Sequence, residues 1–198
     1  MLKPLSSATQ LPNIDEHKPA PGALLVVQAF ANTIDYELGE DFLGDLGTAR
    51  EWLSLAQLVE PSTRLGAADC ELARAVRRDL RTMIASNGGG EPVAPADLPA
   101  IRELFGVGRP RLALAASGRI EVGAYAGGGL ADGLVALLLV VRDAQVDGTW
   151  SRLRLCANEE CRWAFYDRSR NGAGLWCRME VCGNRLKNRR LRARRSGS

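Results

Sequence analysis

Four cysteines near the C-terminus constrain this chain more than any other feature. They fall as Cys156-x4-Cys161 and Cys177-x4-Cys182 with fifteen residues between the pairs, and a dense basic run follows at once, from Gly183 to Arg195. Zn2+ takes four soft ligands in a tetrahedron, and each short-range pair can turn the chain around one edge of it. Four thiolates close the coordination sphere, so the expectation is one structural Zn2+ on Cys156, Cys161, Cys177 and Cys182 and no metal-centred hydrolysis. The x4 spacing is at the wide end of the usual range, but four of the five cysteines fall within 27 positions. The competing reading is a pair of disulfides, which needs an oxidising compartment that nothing else in the sequence suggests.

The basic run carries the second constraint. Seven of the eleven positions from Arg185 to Arg195 are Lys or Arg, without proline or glycine, and a helix is expected. At 100° per residue Arg185, Arg189 and Arg192 share one side, and Lys187, Arg190 and Arg194 another. Such a helix has no apolar face to bury, and guanidinium groups match phosphate oxygens in geometry as well as sign. A solvated tail that stays unfolded until it binds is the competing reading. The expected DNA-binding set is Asn184, Arg185, Lys187, Arg189, Arg190, Arg192, Arg194 and Arg195, with Arg168 and Arg170 from the finger. Asn184 and Arg185 are the side chains suited to base edges. Trp163, Phe165 and Trp176 are expected to pack over the metal site as its miniature core rather than to stack on bases.

The run Cys156-x4-Cys161-x3-Phe165-x-Asp167-x-Ser169-Arg170-Asn171, then Trp176-Cys177-x-Met179-x2-Cys182-Gly183-Asn184-Arg185-x-Lys187, resembles the CGNR zinc finger, a bacterial module named for its last cysteine and the three residues after it. The resemblance spans residues 156–194 and implies the same four ligands and a DNA-binding role in transcriptional regulation. Two departures stand out: Gly174-Leu175 precede Trp176 where such fingers often carry arginine, and Leu191 stands where histidine is common.

The net charge of +3 hides an asymmetry. Residues 1–150 carry 13 Lys and Arg against 19 Asp and Glu, net −6, and residues 151–198 carry 13 against 4, net +9. An acidic body on a basic end suggests a sensing or assembly domain joined to a polyanion-binding one. The expected organisation is a flexible arm over 1–22, a regulatory domain over 23–148, and the finger with its basic helix over 149–198. The arm holds four prolines and the only histidine, His17, and lacks the build of a signal peptide; a cytoplasmic protein without a membrane span is expected.

Within the regulatory domain, Leu24, Val27, Phe30 or Ala31, and Ile34 recur at helical spacing, predicting a helix from Ala23 to about Tyr36, with a strand as the competing reading given the β-branched content. The segment Leu25 to Thr33 contains Phe30-x-Asn32-Thr33 and resembles the opening signature of the ABATE domain, which commonly precedes a CGNR finger and is associated with stress-linked regulation. Asn32 and Thr33 are poor helix formers, so they either hydrogen-bond neighbouring backbone, the favoured reading, or face a ligand pocket.

Thr48-x-x-Glu51 predicts a capping box, and Asp69 predicts the start of a longer helix with Leu72, Val76, Leu80 and Met83 or Ile84 inward. Arg74, Arg77, Arg78 and Arg81 are expected on its solvated face, with a second anion site as the competing reading, and Cys70 as a small buried hydrophobe. Asp97 caps a short helix to Phe105, Leu112–Ala124 reads as a hairpin through Ser117-Gly118, and Leu130–Ala144 reads as the most buried helix. Neither glycine run carries the Gly-Lys-Ser/Thr ending of a phosphate loop.

The expected fold class is therefore α+β: a mostly helical N-terminal domain with a β-hairpin, then a small four-cysteine zinc finger with a C-terminal basic helix. The expected function is DNA-binding transcriptional regulation, leaving room for a small-molecule ligand of the N-terminal domain and for homo-oligomer assembly. An RNA-binding module and a protein-interaction adaptor are the alternatives. An enzyme has the least support, since the sequence shows no nucleophile motif and no histidine outside the arm.

Overall fold

The computed structural model describes residues 11–13, 17–107, 110–114, 116–118, 120–124 and 129–185. Five α-helices among them run in the order α1 (Leu24–Ala31), α2 (Leu46–Leu55), α3 (Ala67–Ser86), α4 (Pro99–Val107) and α5 (Leu130–Val146). Three two-stranded antiparallel sheets interrupt them: β1 (Ile34–Asp35) with β2 (Glu40–Asp41), β3 (Pro110–Leu114) with β4 (Ile120–Ala124), and β5 (Leu153–Leu155) with β6 (Ala164–Tyr166). The fold class is α+β, with the four cysteines gathered near the C-terminus.

The core forms where α5 meets α1, α3 and α4. Leu134 and Leu137 of α5, Leu80 and Ile84 of α3, and Phe30 of α1 are fully buried, and Trp52 of α2 tilts against Phe30 with ring centroids 6.0 Å apart. α5 approaches α2's trailing loop so closely that a Cβ on Gly133 would overlap the Leu58 carbonyl. The β3–β4 register pairs Leu112 with Val122 through the Gly118 turn, as its alternation predicts.

Several local expectations are corrected. α1 stops at Ala31 because Asn32 leaves helical geometry, and Ile34 is already strand. α2 begins two residues before Thr48, where Asp45 accepts from the N–H groups of Gly47 and Thr48; Thr48 instead donates its hydroxyl to the carbonyls of Phe42 and Asp45. Gly66 caps α3, and Asp69 serves three residues inside by accepting the Gly66 N–H. Asp97 closes a 3-10 turn, and α4 starts after it at Pro99.

The largest correction concerns the α3 arginines. Arg78 alone of the four is exposed. Arg77 is buried and makes a two-pronged ion pair with Asp41 at 2.6 and 2.7 Å, donating also to the Thr33 hydroxyl. Arg74 donates to the Leu43 carbonyl, and buried Arg81 donates to the carbonyls of Ala31 and Arg162. Helical periodicity reports side, not reach: long stems carry these guanidinium groups to the Asp41 carboxylate and to the backbone carbonyls of Leu43, Ala31 and Arg162.

The described part of the N-terminal arm is not loose. Leu11 and Ala20 join the core, and Asn13 bridges the Ala29 carbonyl and the Trp52 indole N–H. Of the basic segment, Asn184 and Arg185 continue helically from a π-turn over Met179–Gly183; Lys187, Arg189, Arg190, Arg192, Arg194 and Arg195 lie outside the described residues.

Candidate metal centre

The first cysteine pair sits in the turn that joins β5 to β6. Backbone bonds from Cys161 and Arg162 to the Asn158 carbonyl tighten this turn, and Arg162 adopts φ 48° to send the chain back into β6. The second pair arrives from the opposite side, where Cys182 and Gly183 both donate to the Arg178 carbonyl in the π-turn. Two turns, each with a sulfur at either end, therefore face one another.

All four Sγ atoms lie within 4.8 Å of one another. Cys177 is 3.7 Å from both Cys161 and Cys182. Tetrahedral sulfurs at a Zn–S distance of about 2.3 Å stand about 3.8 Å apart, so these separations fit the ion, and every cysteine is a free thiol. Cys156, Cys161 and Cys182 are buried and Cys177 is half-buried, with Trp163, Trp176 and Val181 packed around them.

The sulfurs are close enough to shift one another's ionisation. Hydrogen bonds from Cys161 and Cys177, aided by the N–H groups of Cys177 and Asn158, hold the Cys156 thiol down to about 2. The bond to Cys156 pushes Cys161 up to about 12, and the bonds to Cys156 and Cys161 drive Cys177 upward as well. Thiolates this close repel one another, and a dication is what makes a full set of them compatible. Asn158, itself buried, turns its amide N–H to Cys182 Sγ at 3.9 Å, and its Oδ1 has no partner among the described residues. A Zn2+ ion held by Cys156, Cys161, Cys177 and Cys182 would supply a structural crosslink between the two turns.

The finger is seated on the body by polar side chains that reach its backbone. Asn32 exchanges two hydrogen bonds with Ala164, accepting its N–H at 2.7 Å and donating to its carbonyl at 2.8 Å. Gln28 donates to the same carbonyl and accepts from the Ala20 N–H, while Arg81 holds the Arg162 carbonyl beside the first turn. The Phe30-x-Asn32-Thr33 signature thus has three jobs: Phe30 fills the core, Asn32 clamps β6, and Thr33 meets Arg77. Sequence reasoning placed Asn32 in a structural role but in the wrong partnership, and it missed Gln28 and Arg81; a glutamine inside an otherwise apolar helix was the available signal.

The remaining expected site residues divide. Arg168 donates to the Pro19 carbonyl, and Arg170 is exposed. Asn184 is exposed and donates back to the Glu180 carbonyl. Arg185 is paired with Glu37 of the β1–β2 hairpin at 2.5 Å. Trp163 and Trp176 pack on the thiols, whereas Phe165 turns away to lie under the Lys18 ammonium, 4.8 Å from its ring centre.

A helical body carrying a four-thiol finger defines a metal-binding, two-module protein. Residues 152–195 match the CGNR zinc finger, and residues 25–146 match the ABATE family, described as "Putative stress-induced transcription regulator". The second match covers well over half of the chain, and the chain belongs to the ABATE family. No curated protein matches it. No helix among the described residues is long and apolar enough to cross a membrane.

Proposed function

We propose that this protein regulates transcription by binding DNA through a Zn2+-stabilised finger and the basic segment that follows it. The observation that carries this reading is the position of the closed four-thiol cluster: it ends at Cys182, three residues before the first of seven cationic side chains in eleven positions. Zn2+ on Cys156, Cys161, Cys177 and Cys182 has a structural role here, fixing the turn from which the segment leaves. Lys187, Arg189, Arg190, Arg192, Arg194 and Arg195 supply phosphate contacts, joined by Arg168 and Arg170 of the finger, while Asn184 and Arg185 stand at its base for base edges. The protein works by binding, with no covalent chemistry of its own.

The test is a selection of genomic DNA fragments by the zinc-loaded chain at about 0.15 M salt, where non-specific cationic binding is suppressed. Enrichment of one short motif, lost in Cys177→Ser, is the expected result. Alanine at Arg189, Arg190 and Arg192 together leaves zinc content intact and flattens the salt dependence by about 0.9 log unit per phosphate contact removed. Unchanged affinity in that triple variant removes the basic segment from the reading; preference for single-stranded RNA, or binding to neither nucleic acid, moves it to the RNA or adaptor alternative.

A further inference from the structure

A cleft of about 460 Å3 opens where the β1–β2 hairpin of the body faces the thiol cluster of the finger. Small-molecule sites commonly occupy such volumes and such junctions. One wall is the finger, with Trp163 and three of the four cysteines; the other is the hairpin, with Asp35, Glu37, Glu40 and Phe42. The hairpin is a shaped loop: Asp35 Oδ1 accepts from the N–H groups of Glu37 and Leu38, at 2.8 and 3.0 Å. Three carboxylates therefore line one side, against Arg178 as the one cationic side chain of the lining among the described residues. Four thiolates around one dication leave the opposite wall net negative as well.

We propose that this cleft is an effector site for an organic cation with an apolar portion, an arylalkylamine being the simplest form. Its ammonium group lies against Glu37 and Glu40, and its apolar part against Phe42 and the Trp163 ring, whose negative face favours a cation nearby. An anion of the same shape would meet repulsion from both walls. Glu37 is shared with Arg185 at the rim, so a cation entering the cleft competes with the first side chain of the basic segment for one carboxylate. The site consequently touches both modules at once, which is what an effector requires if it is to alter one through the other. The inference stands independently of DNA binding, and its test contains no nucleic acid.

Phenethylamine and its charge-reversed counterpart phenylacetate, titrated into the full zinc-loaded chain at low salt and followed by calorimetry, separate the outcomes. Phenethylamine should saturate with a Kd on the order of 1 mM, as suits so small a probe, and phenylacetate should not saturate. The Glu37→Gln, Glu40→Gln double variant should weaken phenethylamine at least about fivefold while keeping zinc content and thermal midpoint, because both side chains are exposed. Glu40→Gln alone, which leaves the Arg185 pair intact, should show a smaller loss in the same direction. A flat phenethylamine titration, an unchanged affinity in the double variant, or phenylacetate binding as tightly as the amine would each overturn the proposal.

Discussion

The body and the finger are held together by different means. The body buries whole side chains against one another, among them Trp52, Phe30, Leu80, Ile84, Leu134 and Leu137. Among the described residues the finger keeps Trp163, Trp176 and Val181, none fully buried, around its thiols, and its own inward strand residues Leu153 and Ala164 belong to the body's core. A module this short cannot bury enough apolar surface alone, so a metal ordinarily compensates. Here it has a second support. One end of the finger is closed by thiols, and the other is bonded through Gln28, Asn32 and Arg81 to helices far away in sequence.

Removing zinc should have the largest effect on this contrast. Structural zinc commonly contributes on the order of 10 kcal/mol to the folding of a finger. Chelation should therefore strip amide protection from residues 156–185 while α3 and α5 keep theirs, as hydrogen exchange would read. Collapse of protection in α3 at the same chelator concentration would show that the two regions are a single cooperative unit.

Next in size is Asn32→Ala, which deprives the buried Ala164 N–H of its partner and leaves the Ala164 carbonyl with Gln28, at about 2 kcal/mol. The expected signature is lower stability in denaturant together with faster loss of zinc to a chelator. A stability loss without any change in zinc release would mean that the clamp serves the body alone.

The smallest effect lies in the body's own polar closure. Burial works to raise the Asp41 carboxyl, but the hydrogen bond and charge of Arg77 and the Leu43 N–H outweigh it and hold the group below its ordinary 3.8. A carboxyl lowered on folding stabilises above its unfolded value, and that contribution fades as pH falls through the folded one. Because Asp41 is partly exposed, it is worth about 1 kcal/mol, to be seen as a shallower acid limb in Asp41→Asn as pH falls below about 5 and through the lowered folded value. An unaltered acid limb would transfer the acid sensitivity to the finger, where Asp167 is also held low: burial opposes, but the N–H groups of Ser169 and Gly174 prevail.

Helix positions, the β3–β4 hairpin and the cysteines that cluster were legible because each is written locally, in periodicity, turn residues or spacing. α1 was read too long because apolar spacing continues through Ile34, while the break at Asn32 follows from its bonds to Ala164. The arginines of α3 were misread for a related reason. Their charge and period are those of a wet surface, and the Asp41 carboxylate of the β1–β2 hairpin, with the carbonyls of Leu43 and of Arg162 in the first cysteine turn, makes burial favourable.

The sequence by itself determined the chemistry of this protein: soft ligands in two pairs at its end, a cationic run after them, and a helical body of opposite charge, all properties of neighbouring residues. Tertiary structure decided what those parts do to one another. Asn32 and Ala164 are 132 positions apart, Glu37 and Arg185 are 148, and the cleft has a wall from each module. Hydrogen bonds, ion pairs and cavities are made between whatever surfaces the packed core brings within a few ångströms, and no local pattern encodes that meeting.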